Sequence, residues 1–133
     1  MKKLLPIFIT ALLLVGCAAP TEREVSYRQI TMDEAVAMME EEEGYIILDV
    51  RTAAEFDEKH IPGAINIPNE AIGTDAIPKL PDKDQLILVY CRSGNRSKQA
   101  SEKLVKLGYT NVVEFGGIID WPGETETNEG GLL

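Results

Sequence analysis

The sequence predicts an α/β domain with a parallel central sheet and helices on both faces. Three observations lead there. Strand-like and helix-like segments alternate from Tyr27 to Phe115, the order that produces crossover connections and parallel strands. Two segments, Tyr45–Val50 and Leu86–Tyr90, are almost continuously apolar, as strands covered on both faces must be. At 133 residues the chain has room for one domain of ordinary size.

The elements follow in order. Tyr27–Ile30 suits a short strand, and Thr31-Met32-Asp33-Glu34 reads as a capping box opening a helix that carries Ala35, Val36 and Met39 inward. Gly44 stops that helix before the first apolar strand. Thr52-Ala53-Ala54-Glu55 repeats the capping pattern and opens a short helix ending near His60. Ile61-Pro62-Gly63 is a turn, and Ala64–Ile67 is a brief strand stopped by Pro68. Between Asn69 and Asp84, Pro78 and Pro81 argue against a long regular element. Leu86–Tyr90 is the strongest strand, and the helix after it places Ala100, Leu104 and Leu107 on one face before Gly108 ends it. Val112–Phe115 supplies a last strand. The domain is assigned to 26–122, with 123–133 a loose tail rich in Gly and Glu.

The first 25 residues have a different character. Lys2 and Lys3 precede an apolar run from Leu4 to Val15, and small residues follow, which is the layout of a secretory signal over 1–16. The run falls short of the roughly 20 residues that a spanning helix needs, and Pro6 interrupts it. Leu14-Val15-Gly16-Cys17 resembles the lipobox of bacterial lipoproteins. That resemblance implies lipidation of Cys17, palmitate among the attached chains, and a place on the outer side of a membrane, in the periplasm or at the cell surface. Residues 17–25 then form the lipidated end and a tether, which at about 3.5 Å per residue spans under roughly 30 Å.

Charge excludes one class of partner. The formal net charge is −9, and Lys2 and Lys3 belong to the leader, so without them it is −11. A body this acidic is a poor nucleic-acid binder, because affinity for phosphate backbones comes from Lys and Arg. One stretch departs from this. Between Cys91 and Leu107 lie Arg92, Arg96, Lys98, Lys103 and Lys106 against the single acid Glu102, a local field suited to a small anionic substrate.

Cysteine usage narrows the chemistry. With Cys17 lipidated, Cys91 is the only free thiol, so no disulfide forms within the mature chain. One histidine and one thiol make no plausible metal-ligand set, and no cofactor is called for. Cys91-Arg92-Ser93-Gly94-Asn95-Arg96-Ser97 joins the strongest strand to the most periodic helix. Gly94 and Asn95 can take positive φ, curling backbone N–H groups toward one centre where the helix start adds its own free N–H groups. Such a setting favours the thiolate.

That loop resembles the active-site loop of single-domain rhodaneses. So do Leu48-Asp49-Val50-Arg51, His60 through Pro68, and Gly116-Gly117-Ile118 with Trp121, all in family order. Lys59 departs from the pattern, standing where many relatives have glycine. The resemblance implies a rhodanese-like fold and sulfur transfer. Cys91 attacks the outer sulfur of thiosulfate or a persulfide donor, holds it as a persulfide, and yields it to cyanide or a thiol. The backbone from Arg92 through Ser93, Gly94 and Asn95 to Arg96 then cradles the persulfide, the guanidinium groups of Arg92 and Arg96 attract the donor, and Ser97 is assigned to cap the helix. His60 is read as structural, as are ion pairs of Asp49 with Arg51 and of Arg51 with Glu55. Two other classes compete: a non-catalytic or redox-sensing module presenting Cys91 to a partner, and a phosphatase or arsenate reductase. The latter usually has five residues between cysteine and arginine, whereas Cys91 and Arg96 enclose four.

Overall fold

The computed structural model describes residues 26–128. The leader, Cys17 and the tether to residue 25 lie outside the described residues, as do 129–133. Five strands form the sheet: β1 (Arg28–Gln29), β2 (Ile46–Asp49), β3 (Ile65–Asn66), β4 (Ile87–Cys91) and β5 (Val112–Gly117). They lie in the order β1-β5-β4-β2-β3, and every pairing is parallel. The helices are α1 (Met32–Glu41), α2 (Ala53–Glu58) and α3 (Asn95–Lys106).

Both expected capping boxes are present. The Thr31 hydroxyl accepts from Glu34 N–H at 3.1 Å, and the Thr52 hydroxyl accepts from Glu55 N–H at 3.2 Å. Each ties up an N–H that the first turn cannot use within the helix. Gly108, at φ 95°, ends α3.

Alternation along the strands divides the core between two faces. Leu48, Val50, Ile87, Val89 and Cys91 pack on one side with Ala100 and Leu104 of α3. Ile47, Leu88, Tyr90, Val113 and Phe115 pack on the other with Ala35 of α1 and with Ile61 and Ile118. Sheet positions such as Leu88 and Val89 are fully buried, each worth roughly 1.5–3 kcal/mol. Glu114 is the exception in β5. It is buried on the α3 side of the strand, between Val113 and Phe115.

Several boundaries differ from the expectation, most of them by a residue or two. The last strand runs on to Gly117, and β4 includes Cys91 itself. Residues 124–128, read from composition as part of a loose tail, are tied to the domain. His60 and Glu126 exchange backbone hydrogen bonds of 2.9 Å in both directions, and Asn128 N–H donates to Asp57 O. Composition missed this because the ties are made by backbone groups, which carry no residue signature. Lys59 sits at φ −165°, extended backbone open to any residue, so the departure from glycine there costs nothing.

Register sets the active end of the sheet. Pairing between β4 and β5 shifts between Val89 and Cys91, bringing Cys91 opposite Gly117. The loop after Cys91 then rests directly on β5. A Cβ at Gly117 would stand 1.9 Å from Arg92 O, so only glycine permits this approach. Gly117→Ala is expected to displace the loop and cost about 1–3 kcal/mol, the usual range for overpacking, read as a lower urea midpoint. An unchanged midpoint would mean that the loop relaxes freely.

Candidate active site

Cys91 ends a strand that is buried along its whole length, and its own side chain is buried, with 1% of the residue exposed. Beyond it the chain turns sharply. Gly94 takes φ 111°, a left-handed conformation that glycine adopts without strain. Asn95, which is also able to take that conformation, instead begins α3 with ordinary helical backbone, and Gly94 alone makes the bend. The bend carries Gly94 N–H back onto Cys91, where it donates to Sγ at 3.0 Å.

Ser97 lies three residues into the helix and is fully buried. Its hydroxyl does not cap α3, which has no side-chain cap. It faces Cys91 Sγ at 3.4 Å, Gly94 O at 2.9 Å and Glu114 Oε1 at 2.7 Å. Sequence reasoning passed over Glu114, although an acid inside Val112–Phe115 carried a usable signal. A carboxylate in a strand buried on both faces needs specific partners, and here they are Ser97 and the N–H of Gly116.

Burial pushes the Cys91 thiol up. The Ser97 hydroxyl and the backbone N–H groups of Ser97, Gly94 and Ser93 together outweigh it and hold the pKa below the ordinary thiol value. The backbone N–H groups favour the ionised sulfur by donating to it, whereas the Ser97 hydroxyl does so only when its hydrogen turns toward Sγ, since the un-ionised thiol donates to Ser97 Oγ at 3.4 Å. Arg96 lies within electrostatic reach and adds positive charge.

The two loop arginines are placed very differently. Arg96 forms a two-pronged pair with Glu55 of α2, Nη1 to Oε1 at 2.7 Å and Nη2 to Oε2 at 3.1 Å. The expected pair of Arg51 with Glu55 is therefore absent. Arg51 is buried and takes both oxygens of Asp49 together with Lys59 O. Nearness in sequence favoured Glu55 as its partner, but the fold brings Arg96 to it from 41 positions away. Arg92 is exposed and makes no ion pair among the described residues. It lines an open cleft of about 380 Å³ with Lys59, Glu55, Glu58, Ile118 and Ile119. Ser93 and Asn95 are exposed at the loop surface.

His60 stacks on Phe56 at 3.8 Å between ring centroids, its Nδ1 lies 2.8 Å from Phe56 O, and its Nε2 lies 3.6 Å from Glu126. Those are the surroundings of a residue that fastens the end of α2. Lys103, counted in the basic stretch, holds Asn69 through its backbone and side-chain oxygens. No group of side chains able to hold a metal ion occurs among the described residues.

The Glu55–Arg96 pair gives a pH-dependent contribution. The Arg96 guanidinium first, with the Thr52 backbone and hydroxyl, lowers the Glu55 carboxyl from 4.5 to about 2 against the effect of burial. A carboxylate lowered on folding stabilises the fold above its unfolded pKa, and that contribution disappears as pH falls through the folded value. Wild type should therefore resist urea better than Glu55→Gln at about pH 6, by a margin small for a partly exposed pair, and lose the margin near pH 2. A difference that persisted at the lower pH would place the effect outside this carboxylate.

With this geometry in view, the likeness to known proteins is specific. Residues 31–123 match the family described as Rhodanese-like domain. The chain is 40% identical over 73 residues to the thiosulfate sulfurtransferase PspE of Escherichia coli, covering 55% of this chain and 70% of that protein. It is 40% identical over 80 residues to a sulfurtransferase of Allochromatium vinosum, covering 59% and 73%. Among solved structures, a rhodanese from E. coli with bound anions aligns with 62% of this chain and 98% of its own, at 35% identity and a TM-score of 0.57. A rhodanese-like domain from Anabaena aligns with 78% and 83%, at 29% identity and a TM-score of 0.68. The family match spans well over half of the chain, and the chain belongs to the rhodanese-like domain family.

Proposed function

We propose that this domain is a sulfurtransferase that carries a sulfane sulfur on Cys91 as a persulfide, taking it from thiosulfate or a persulfide donor. One observation carries the reading: Sγ accepts the Gly94 N–H at 3.0 Å at the head of a curled loop that keeps the thiol pKa low. The Cys91 thiolate attacks the outer sulfur of thiosulfate. A bond forms between Sγ and that sulfur, the bond within thiosulfate breaks, and sulfite leaves with the electron pair. An acceptor thiolate or cyanide then attacks the outer sulfur of the persulfide and releases Cys91 as thiolate, a covalent route in two steps. The backbone from Arg92 to Arg96 cradles the persulfide. Relatives named as sulfurtransferases support the same chemistry.

Donor attraction falls chiefly to Arg92. Arg96 shares its charge with Glu55, while Arg92 faces the cleft without a carboxylate partner among the described residues. Against a phosphatase stands the same pair, since it leaves Arg96 committed to a side chain of this domain. The apolar leader and Leu14-Val15-Gly16-Cys17 support export and lipid attachment through Cys17. Loss of palmitate labelling in Cys17→Ala tests that part by itself.

Mass spectrometry of the intact domain after thiosulfate treatment should show the gain of one sulfur atom, absent in Cys91→Ser. Loading without release to cyanide or a thiol would favour a carrier or docking module, and sulfur gained by Cys91→Ser would reject the nucleophile. Arg92→Ala should raise the KM for thiosulfate roughly three- to tenfold, the scale of one solvent-facing charge contact, with kcat little changed. An equal or larger effect in Arg96→Ala alone would assign donor attraction to the wrong arginine.

A further inference from the structure

Ser97 has one hydrogen to give, and its neighbours cannot all receive it. Around its buried Oγ stand Glu114 Oε1 at 2.7 Å, Gly94 O at 2.9 Å, Cys91 Sγ at 3.4 Å and Gly116 O at 3.5 Å. The two carbonyls and the carboxylate only accept, so the thiol is the sole neighbour able to donate to the hydroxyl. The shortest of these bonds runs to a carboxylate and is charge-assisted, the strongest kind available here. Gly116 N–H donates to the same Oε1 at 2.8 Å, which holds the carboxylate in place and marks that oxygen as an acceptor. Ser97 therefore directs its hydrogen at Glu114 and offers a lone pair to the thiol.

That arrangement suits the thiol and opposes the thiolate. Once the thiol proton has left for solvent, the same lone pair faces an anionic sulfur. The hydroxyl stabilises that sulfur only by rotating its hydrogen from Oε1 to Sγ. We propose that Glu114 competes with Cys91 for the single Ser97 hydrogen and thereby sets how readily the thiol ionises. Glu114 acts through Ser97 and is a positioning residue. It is 3% exposed, so water is poorly placed to replace the hydrogen it would lose.

Other charges lie on the surrounding elements, Arg96 being within electrostatic reach of Cys91. Arg96 of α3 is paired with Glu55 of α2, and Asp49 at the end of β2 is paired with Arg51. Arg92 lies exposed at the cleft. From the same face α3 adds only the uncharged Ser97 and Ser101, since its Lys103 is bound to Asn69. Of all these groups, Glu114 is the charged one hydrogen-bonded to Ser97.

The inference rests on Cys91 being the nucleophile, yet thiol ionisation can be read whether or not sulfur moves. The test is the pH dependence of Cys91 alkylation by iodoacetamide, followed by mass spectrometry, in wild type, Glu114→Gln, Ser97→Ala and the double variant. Replacing a charge-assisted bond with a neutral one should lower the alkylation midpoint in Glu114→Gln by roughly half a unit to one unit. Ser97→Ala should raise the midpoint, and in that background Glu114→Gln should have much less effect. Glu114→Met, which accepts only weakly, should lower the midpoint at least as far as Gln does.

Equal midpoints in wild type and Glu114→Gln would overturn the proposal. So would a shift of the same size with and without Ser97, because through-space charge would then account for it. Thiosulfate loading, measured on the same samples, separates the two claims. Unchanged midpoints with normal loading remove the competition alone, whereas wild type that alkylates but never gains sulfur removes the sulfurtransferase reading.

Discussion

A buried sulfur atom accepting a backbone N–H organises this molecule. For Gly94 N–H to reach Cys91 Sγ at 3.0 Å, the chain must reverse within three residues of leaving a buried strand. Only a residue at ease with φ 111° can do so. The loop must also lie flat on β5, and Gly117 allows this because it carries no Cβ to meet Arg92 O. Strand register, two glycines and the start of α3 all serve that one contact. The Ser97 hydroxyl and the local N–H groups outweigh the burial of the thiol and hold its pKa below the ordinary value.

Charge around the sulfur is held in pairs. Arg51 is locked to Asp49 and Arg96 to Glu55, which leaves less free positive charge than the sequence suggests. Guanidinium pairing fixes geometry well because both prongs must align. The cost is less unpaired positive charge, and Arg92 is the loop arginine without an ion pair among the described residues.

Much of this was legible in the sequence, for physical reasons. Thr31 with Glu34 and Thr52 with Glu55 are local signals, and each made the cap it advertised. The apolar runs around Leu48 and Val89 read as strands covered on both faces, and they form β2 and β4. The Cys91–Ser97 loop declared its bend through Gly94. What escaped were partnerships across the chain. Glu55 looked committed to Arg51 nearby, and only the packing of α2 against the start of α3 gives it to Arg96. The tie between His60 and Glu126 runs through backbone groups that every residue shares. Glu114 sat in plain view, but its partner on α3 becomes visible only once β5 is placed beneath that helix.

The all-parallel sheet has a directional consequence. Every strand enters at one pole and leaves at the other, and Cys91 occupies the exit pole. Whatever precedes Tyr27 therefore joins the domain at the entry pole, through the edge strand β1. The described chain thus enters the sheet on the side away from Cys91, so the two poles of the domain can meet different surroundings.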